Sequence, residues 1–293
     1  MTESQHQQHL PTSVLFAILA GIGFATMSLF GKLIGDRAST DTVLFARFVI
    51  SLTLLIPWII KHPHTALKVA HPKKLLWRSC YSLLSFASFF YALRFTSLTD
   101  AIVLNNTFPL FVPLVALIHS KAHTPRKVWL GIVVGFIGVL LVLQPDAKVF
   151  QPYSLVALSS GIFGAIAIVM TRHLTKTVST LQILFYYFVF NTAATAIVLP
   201  FQWQSLSSDV LLLLLGVGIC GALYQLFSTL SFAKSPVRIT SPILSFVIVS
   251  VGLLADFLIW KQLPGMWGFL GIFSIVLGGT LAIYFGQKEI STR

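Results

Sequence analysis

The sequence predicts an all-α membrane protein of ten transmembrane helices, arranged as two inverted five-helix repeats. Three observations carry that expectation. The chain is 56% hydrophobic and only 10% charged, too little polar surface to clothe a soluble domain of 293 residues. Its apolar residues gather into ten runs, most near the ~20 residues that cross a bilayer's hydrocarbon core. The chain also matches itself, without gaps, at an offset of 140 residues.

The runs lie near 13–33, 42–60, 74–93, 98–118, 128–144, 153–171, 180–200, 209–232, 237–259 and 266–285. Ahead of them, "MTESQHQQHLPT" (1–12) holds no Lys or Arg, so it lacks the basic start of a cleaved secretory signal. It is expected to be a cytoplasmic tail, as is the segment 286–293. Between the tails, 13–144 forms the first repeat and 153–285 the second.

The net charge of +12 sits in short loops between the runs, where it reads as a topology signal; no nucleic-acid partner is expected. With the N-terminus inside, inner segments hold fourteen of the 20 Lys and Arg, among them Lys73, Lys74 and Arg78. Outer segments hold five, and Arg47 lies within a span. This bias predicts both termini in the cytoplasm of a cell with the chain in its inner (plasma) membrane.

At the 140-residue offset Lys32 falls on Arg172, Arg94 on Lys234, Lys121 on Lys261 and Gly21 on Gly161. "ST" at 39–40 lies over "ST" at 179–180, and "LGIVVGFIG" (130–138) over "LGIFSIVLG" (270–278). Five helices per half is an odd number, so the two copies cross in opposite directions. Inverted halves of this kind can rock about a midplane site, which is the device of a transporter.

The stretches "YALRFTSLTDAIVLNNTFPLFVPLVALI" and "TPRKVWLGIVVGFIGVLLVLQP" resemble the drug/metabolite transporter superfamily, in its ten-helix EamA-type branch. "ADFLIWKQLPGMWGFLGIFSIVLGGTLAIY" is similar to the same family's second-repeat ending. The resemblance covers nearly the whole chain. It implies a central cavity lined by helices 1–4 and 6–9, with helices 5 and 10 at the periphery. The family often carries Glu near the ends of helices 4 and 9; this chain has Lys121–Ala122 and Gln262 there, so no role of that acid carries over.

Helix 4 is the most informative span. Pro109 has no N–H and frees the carbonyl of Asn105; Pro113 does the same to Pro109. A bare carbonyl in lipid costs several kcal/mol, roughly, and so must face protein or water. Asn105, Asn106, Pro109 and Pro113 share an arc of roughly 100°, predicting a discontinuous, substrate-facing helix. Interhelical hydrogen bonding is the alternative reading of the two amides.

Other polar positions carry expectations of their own. Asp100 is read as the N-cap of helix 4, and Asp256 as reaching the interface or pairing with Lys261; both are also candidates for coupling. Arg47 lies some 8 Å deep, at roughly 1.5 Å per residue, and either snorkels outward or attracts an anionic substrate group. Tyr91, Tyr187, Asn191, Tyr224 and Gln225 are candidate substrate contacts, with packing as their plainer role. Gly131 and Gly135 make a GxxxG on helix 5, which raises a homodimer through helix 5 or 10.

No cofactor or metal is expected. Cys80 and Cys220 lie in apolar runs without paired spacing, and the three histidines of "HPHTALKVAHPKK" (62–74) sit on a proline-broken basic loop. P-loop, nucleotide-fingerprint and H-E-x-x-H sequences are missing, and no nucleophile and base converge within the spans, so an enzyme is not expected. The function predicted is secondary transport of a small organic metabolite, amino-acid-like, nucleoside-like or otherwise zwitterionic or aromatic. An intramembrane enzyme and a facilitative channel are the rivals. The partners predicted are that solute and the lipid bilayer.

Overall fold

The computed structural model describes residues 10–62, 71–120, 126–143, 152–202, 206–234 and 237–288. Ten helices run through them: α1 (Leu10–Ile34), α2 (Thr40–Lys61), α3 (Pro72–Phe95), α4 in two pieces (Leu98–Asn105 and Phe108–Ser120), α5 (Arg126–Leu143), α6 (Pro152–Leu174), α7 (Thr180–Val198), α8 (Ser208–Lys234), α9 (Val237–Ala255) and α10 (Met266–Lys288). The described residues contain no strand. Most of the expected tails and of the histidine-bearing loop, and Lys121, lie outside the described residues; 10–12 and 286–288 belong to α1 and α10.

Six helices (α1, α2, α6, α7, α8, α9) are long and apolar enough to cross a membrane, and α4, α5 and α10 carry shorter apolar stretches. Large apolar side chains such as Ile60, Leu130, Ile197, Leu212, Phe246 and Phe273 face outward. A soluble protein would hide that many; a lipid-facing belt does not need to. The chain is a multi-pass membrane protein. The least apolar of its long helices is α3, which has Lys73, Lys74, Arg78 and Arg94, and turns Ser79, Ser82 and Ser85 inward.

Local chemistry sets the helix ends. Ser39, Ser97 and Ser179 cap α2, α4 and α7 by accepting the backbone N–H groups of Thr42, Asp100 and Gln182. The cap of α4 is therefore Ser97, not Asp100, whose own N–H donates to it over 3.0 Å. The expected break in α4 falls at Asn106–Thr107. Pro109 cannot donate to Asn105, and the chain closes instead through Thr107 N–H to Leu104 and Leu110 N–H to Thr107.

Glycines let the helices approach closely. The helix α1 packs on α8 and α9, α6 on α3 and α4, α2 on α7 and α8, and α5 on α10. A Cβ on Gly161 (α6) would stand 2.5 Å from Thr107 Oγ1 and 3.0 Å from the carbonyl of Leu104, at the break in α4. One on Gly21 (α1) would stand 2.7 Å from Val247 and 3.2 Å from the carbonyl of Leu244 in α9. Gly138 of α5 meets Gly271 and Ile275 of α10, while Gly278 of α10 meets Gly131 and Gly135 of α5. The GxxxG face of helix 5 is thus covered within the chain by α10, so it is not a free dimerisation face.

Candidate functional site

Call the bundle's near end the one where α1 begins. All five acids among the described residues cluster at the far end: Asp36, Asp41, Asp100, Asp209 and Asp256. There Arg94 bonds Asp36 at 2.7 Å, Arg37 pairs with Asp209, and Lys32 donates to the carbonyls of Leu93 and Thr96 at the C-terminus of α3. Asp256 opens a π-helical turn (Asp256–Trp260) that ends with Lys261 at a φ of 56°. It is 2% exposed, and its carboxylate accepts the N–H of Thr99 at 2.7 Å. That carboxylate caps the first turn of α4 from another helix, so it neither reaches the interface nor pairs with Lys261, whose ammonium lies over Phe257. Beneath these polar ties Phe89, Phe90, Leu93, Leu98, Ile102 and Leu104 fill the bundle. The far end is closed.

From mid-bundle toward the near end the packing opens. A cavity, partly open to the surroundings, lies between α1, α3, α4, α6, α8 and α9. Phe24, Phe86 and Tyr224 form its aromatic floor, with centroids 5.0 to 6.4 Å apart. Polar groups line the walls: Ser82 and Ser85 on α3, Asn105 and Asn106 at the α4 break, Thr171 on α6, and Gln225, Ser228 and Thr229 on α8. Asn105 donates to Ser160 Oγ at 2.8 Å, which holds its amide against α6. Asn106 donates to its own helix at Ile102, and its Oδ1 is buried without a partner. It stands in the wall between this cavity and a smaller apolar one, where it joins Pro109 and Ser245.

Two guanidinium groups meet at Tyr187. Arg78, 2% exposed, lines the cavity; its Nε donates to Thr171 Oγ1 at 2.9 Å, and its Cζ lies 4.1 Å from the Tyr187 ring centroid. Arg47 is fully buried one layer back, with Nη1 on the Tyr187 hydroxyl at 3.2 Å and Cζ 3.5 Å from the Phe86 ring centroid. It does not snorkel, because Gly221 of α8 and Met27 of α1 pack against it.

The bundle is thus polar at its centre and apolar at its rim. Residues 11–144 match the EamA-like transporter family. Relatives similar over nearly the whole chain are transporters by name. An S-adenosylmethionine uptake transporter of Rickettsia conorii is 26% identical, covering 94% of this chain and 96% of its own. The pseudopaline exporter CntI of Pseudomonas aeruginosa is 28% identical, over 87% and 90%. The chain is similar to transporters along nearly its whole length. A solved crystal structure at 15% identity shares the fold, with a TM-score of 0.68 over 95% of this chain and 99% of that one.

Of the candidate substrate contacts, Asn105, Asn106, Tyr224 and Gln225 line this cavity together. Pro109 faces the smaller cavity. Arg47 and Tyr187 stand behind the wall, as does the buried Asn191, whose Nδ2 has no partner; α2 and α7 contribute nothing to the lining itself. Tyr91 lies elsewhere: it is 43% exposed on the outer face of α3, against Phe95 and Tyr153. Sequence reasoning missed Arg78 by grouping it with Lys73 and Lys74. The signal was its depth, six residues past Pro72 or about 9 Å into the helix.

Proposed function

We propose that this chain is a secondary carrier of a small organic metabolite, working by alternating access between two inverted repeats in an inner membrane with both termini cytoplasmic. The observation that carries the reading is a polar mid-bundle cavity that is closed at the far end and opens toward the near one. By the charge bias the near end is cytoplasmic, so the conformation is inward-facing.

Contacts 140 residues apart support the inverted repeat. Gly21 meets Leu244 and Val247 as Gly161 meets Leu104 and Thr107, and Gly138 meets Gly271 and Ile275 as Gly278 meets Gly131 and Gly135. Arg47 and Tyr187, which touch each other, are themselves one offset apart. Two halves packed through equivalent contacts can exchange roles, which moves the opening from one side to the other.

An amino-acid-like, nucleoside-like or other zwitterionic or aromatic solute suits the aromatic floor and amide-lined wall. Relatives named for uptake and for export support no single direction. Purified protein in liposomes should take up a labelled metabolite at a rate that saturates with concentration. Uptake equal to that of protein-free liposomes across amino acids, nucleosides and organic acids would overturn the proposal.

A further inference from the structure

We infer that the cavity takes an organic oxyanion, its charged end held against Arg78 with the positive charge of Arg47 behind it. This deepens the carrier reading and rests on it.

The inference comes from a charge that the described residues leave unbalanced. Arg78 and Arg47 are both buried and both touch Tyr187, Arg78 over its ring and Arg47 at its hydroxyl, so two cations converge on one tyrosine. The five described acids all lie at the far end, and no described carboxylate pairs with either guanidinium. Rings of Phe86, Phe48 and Tyr187 offset part of the cost through cation–π contact. They leave the N–H groups unpaired: Nη1 of Arg78 and Nη2 of Arg47 are buried without a hydrogen-bond partner. A buried charge with an idle donor is costlier than the neutral hydroxyls and amides that are also left unpaired, because an ion loses more on leaving water.

Geometry places the missing partner. Arg78 lines the cavity and is held from behind by Thr171 through Nε, which leaves the outer nitrogens of its fork for a ligand. A guanidinium fork matches the paired oxygens of a carboxylate or phosphate, and the match strengthens where water is excluded. Ser82 lies one turn further along α3, where its hydroxyl can donate to the same anion, while Ser85 donates to the carbonyl of Ser160. The Phe24, Phe86 and Tyr224 floor then takes the solute's apolar or ring portion. Carboxylate and phosphate share this chemistry.

The test compares charged probes with neutral partners of the same shape, by thermal melting of the purified full chain. Succinate is paired with succinamide, 3-phenylpropionate and N-acetylphenylalanine each with its amide, and uridine 5′-monophosphate with uridine. At least one oxyanion should raise the melting temperature by roughly 3–5 °C at about ten times its Kd, with its neutral partner giving no shift. Carboxylate and phosphate arms separate the two chemistries. Arg78→Gln should abolish the shift, and Arg78→Lys should retain a weaker one with the same preference for the acid.

Neutral partners shifting the melt as much as the acids would overturn the inference. So would an acid preference that persists in Arg78→Gln, or a shift produced by phosphatidylglycerol in the micelles and by no soluble oxyanion. Failure of the carrier reading looks different: the acids would bind, yet none would cross a reconstituted bilayer. Saturable uptake of a neutral or cationic solute alone would sink this inference and leave the carrier intact.

Discussion

Replacing Asn106 with Leu should leave the protein as stable as before or more so, and should abolish transport. Asn106 ends the first piece of α4 at a φ of −74° and ψ of 10°, a conformation open to any L-residue. Its amide makes one bond, from Nδ2 to the carbonyl of Ile102 at 2.9 Å. Such a bond within a membrane bundle is worth about 0.6 kcal/mol on average. That carbonyl keeps a partner after the change, because the backbone N–H of Asn106 also donates to it at 2.9 Å. On the other side, Oδ1 is buried and unpaired, a cost of roughly 1–3 kcal/mol that Leu removes. The balance favours Leu by about 0.5–2 kcal/mol, a rise of a few degrees in detergent melting. Uptake should fall at least about tenfold, the loss of one buried substrate hydrogen bond. Melting and uptake on the same preparation decide the matter. A lowered melting temperature with normal uptake would refute the reasoning and make Asn106 interhelical glue.

Asp256→Ala should lower stability by about 1.5–3 kcal/mol, since it strips a charge-assisted cap from the N–H of Thr99, while Asp256→Asn keeps an acceptor and most of the stability. Equal melting of the Ala variant and the unmodified chain would show that the cap holds nothing. Gly278→Val should collapse the yield of monodisperse protein on size exclusion, because even a Cβ there stands 2.3 Å from the backbone nitrogen of Gly135. A normal elution profile would contradict the α5–α10 packing. Tyr91→Phe should leave uptake within about twofold, because the side chain faces away from the cavity; a tenfold loss would put it in the transport path.

Most of the helix pattern was legible because lipid enforces it: long apolar runs, basic loops and a self-match survive in a single sequence. The break in α4 was legible for a local reason, since Pro109 lacks a donor and the amides beside it show where the freed backbone faces. What stayed hidden depended on distant partners. Asp256 reads as an interfacial carboxylate until Thr99, 157 residues away, arrives against it. Arg78 reads as a topology charge beside Lys73 and Lys74 until α6 brings Thr171 to it. Arg47 reads as either a snorkelling side chain or an anion contact until Gly221 and Met27 close over it and exclude the first. Tyr91 fails in the other direction, because an aromatic near a helix end fits a cavity and a rim equally well by sequence, and here the rim holds it.

Counterflow tests the central claim, a carrier that alternates access to one cavity, most directly. Liposomes bearing the purified chain are loaded with an unlabelled metabolite that shifts its melt, then diluted into a trace of the labelled compound. A carrier that exposes its site to one side at a time should accumulate label transiently above the outside concentration, and Asn106→Leu liposomes should not. Label that only equilibrates, at a rate that never saturates, would contradict the account and mark a channel.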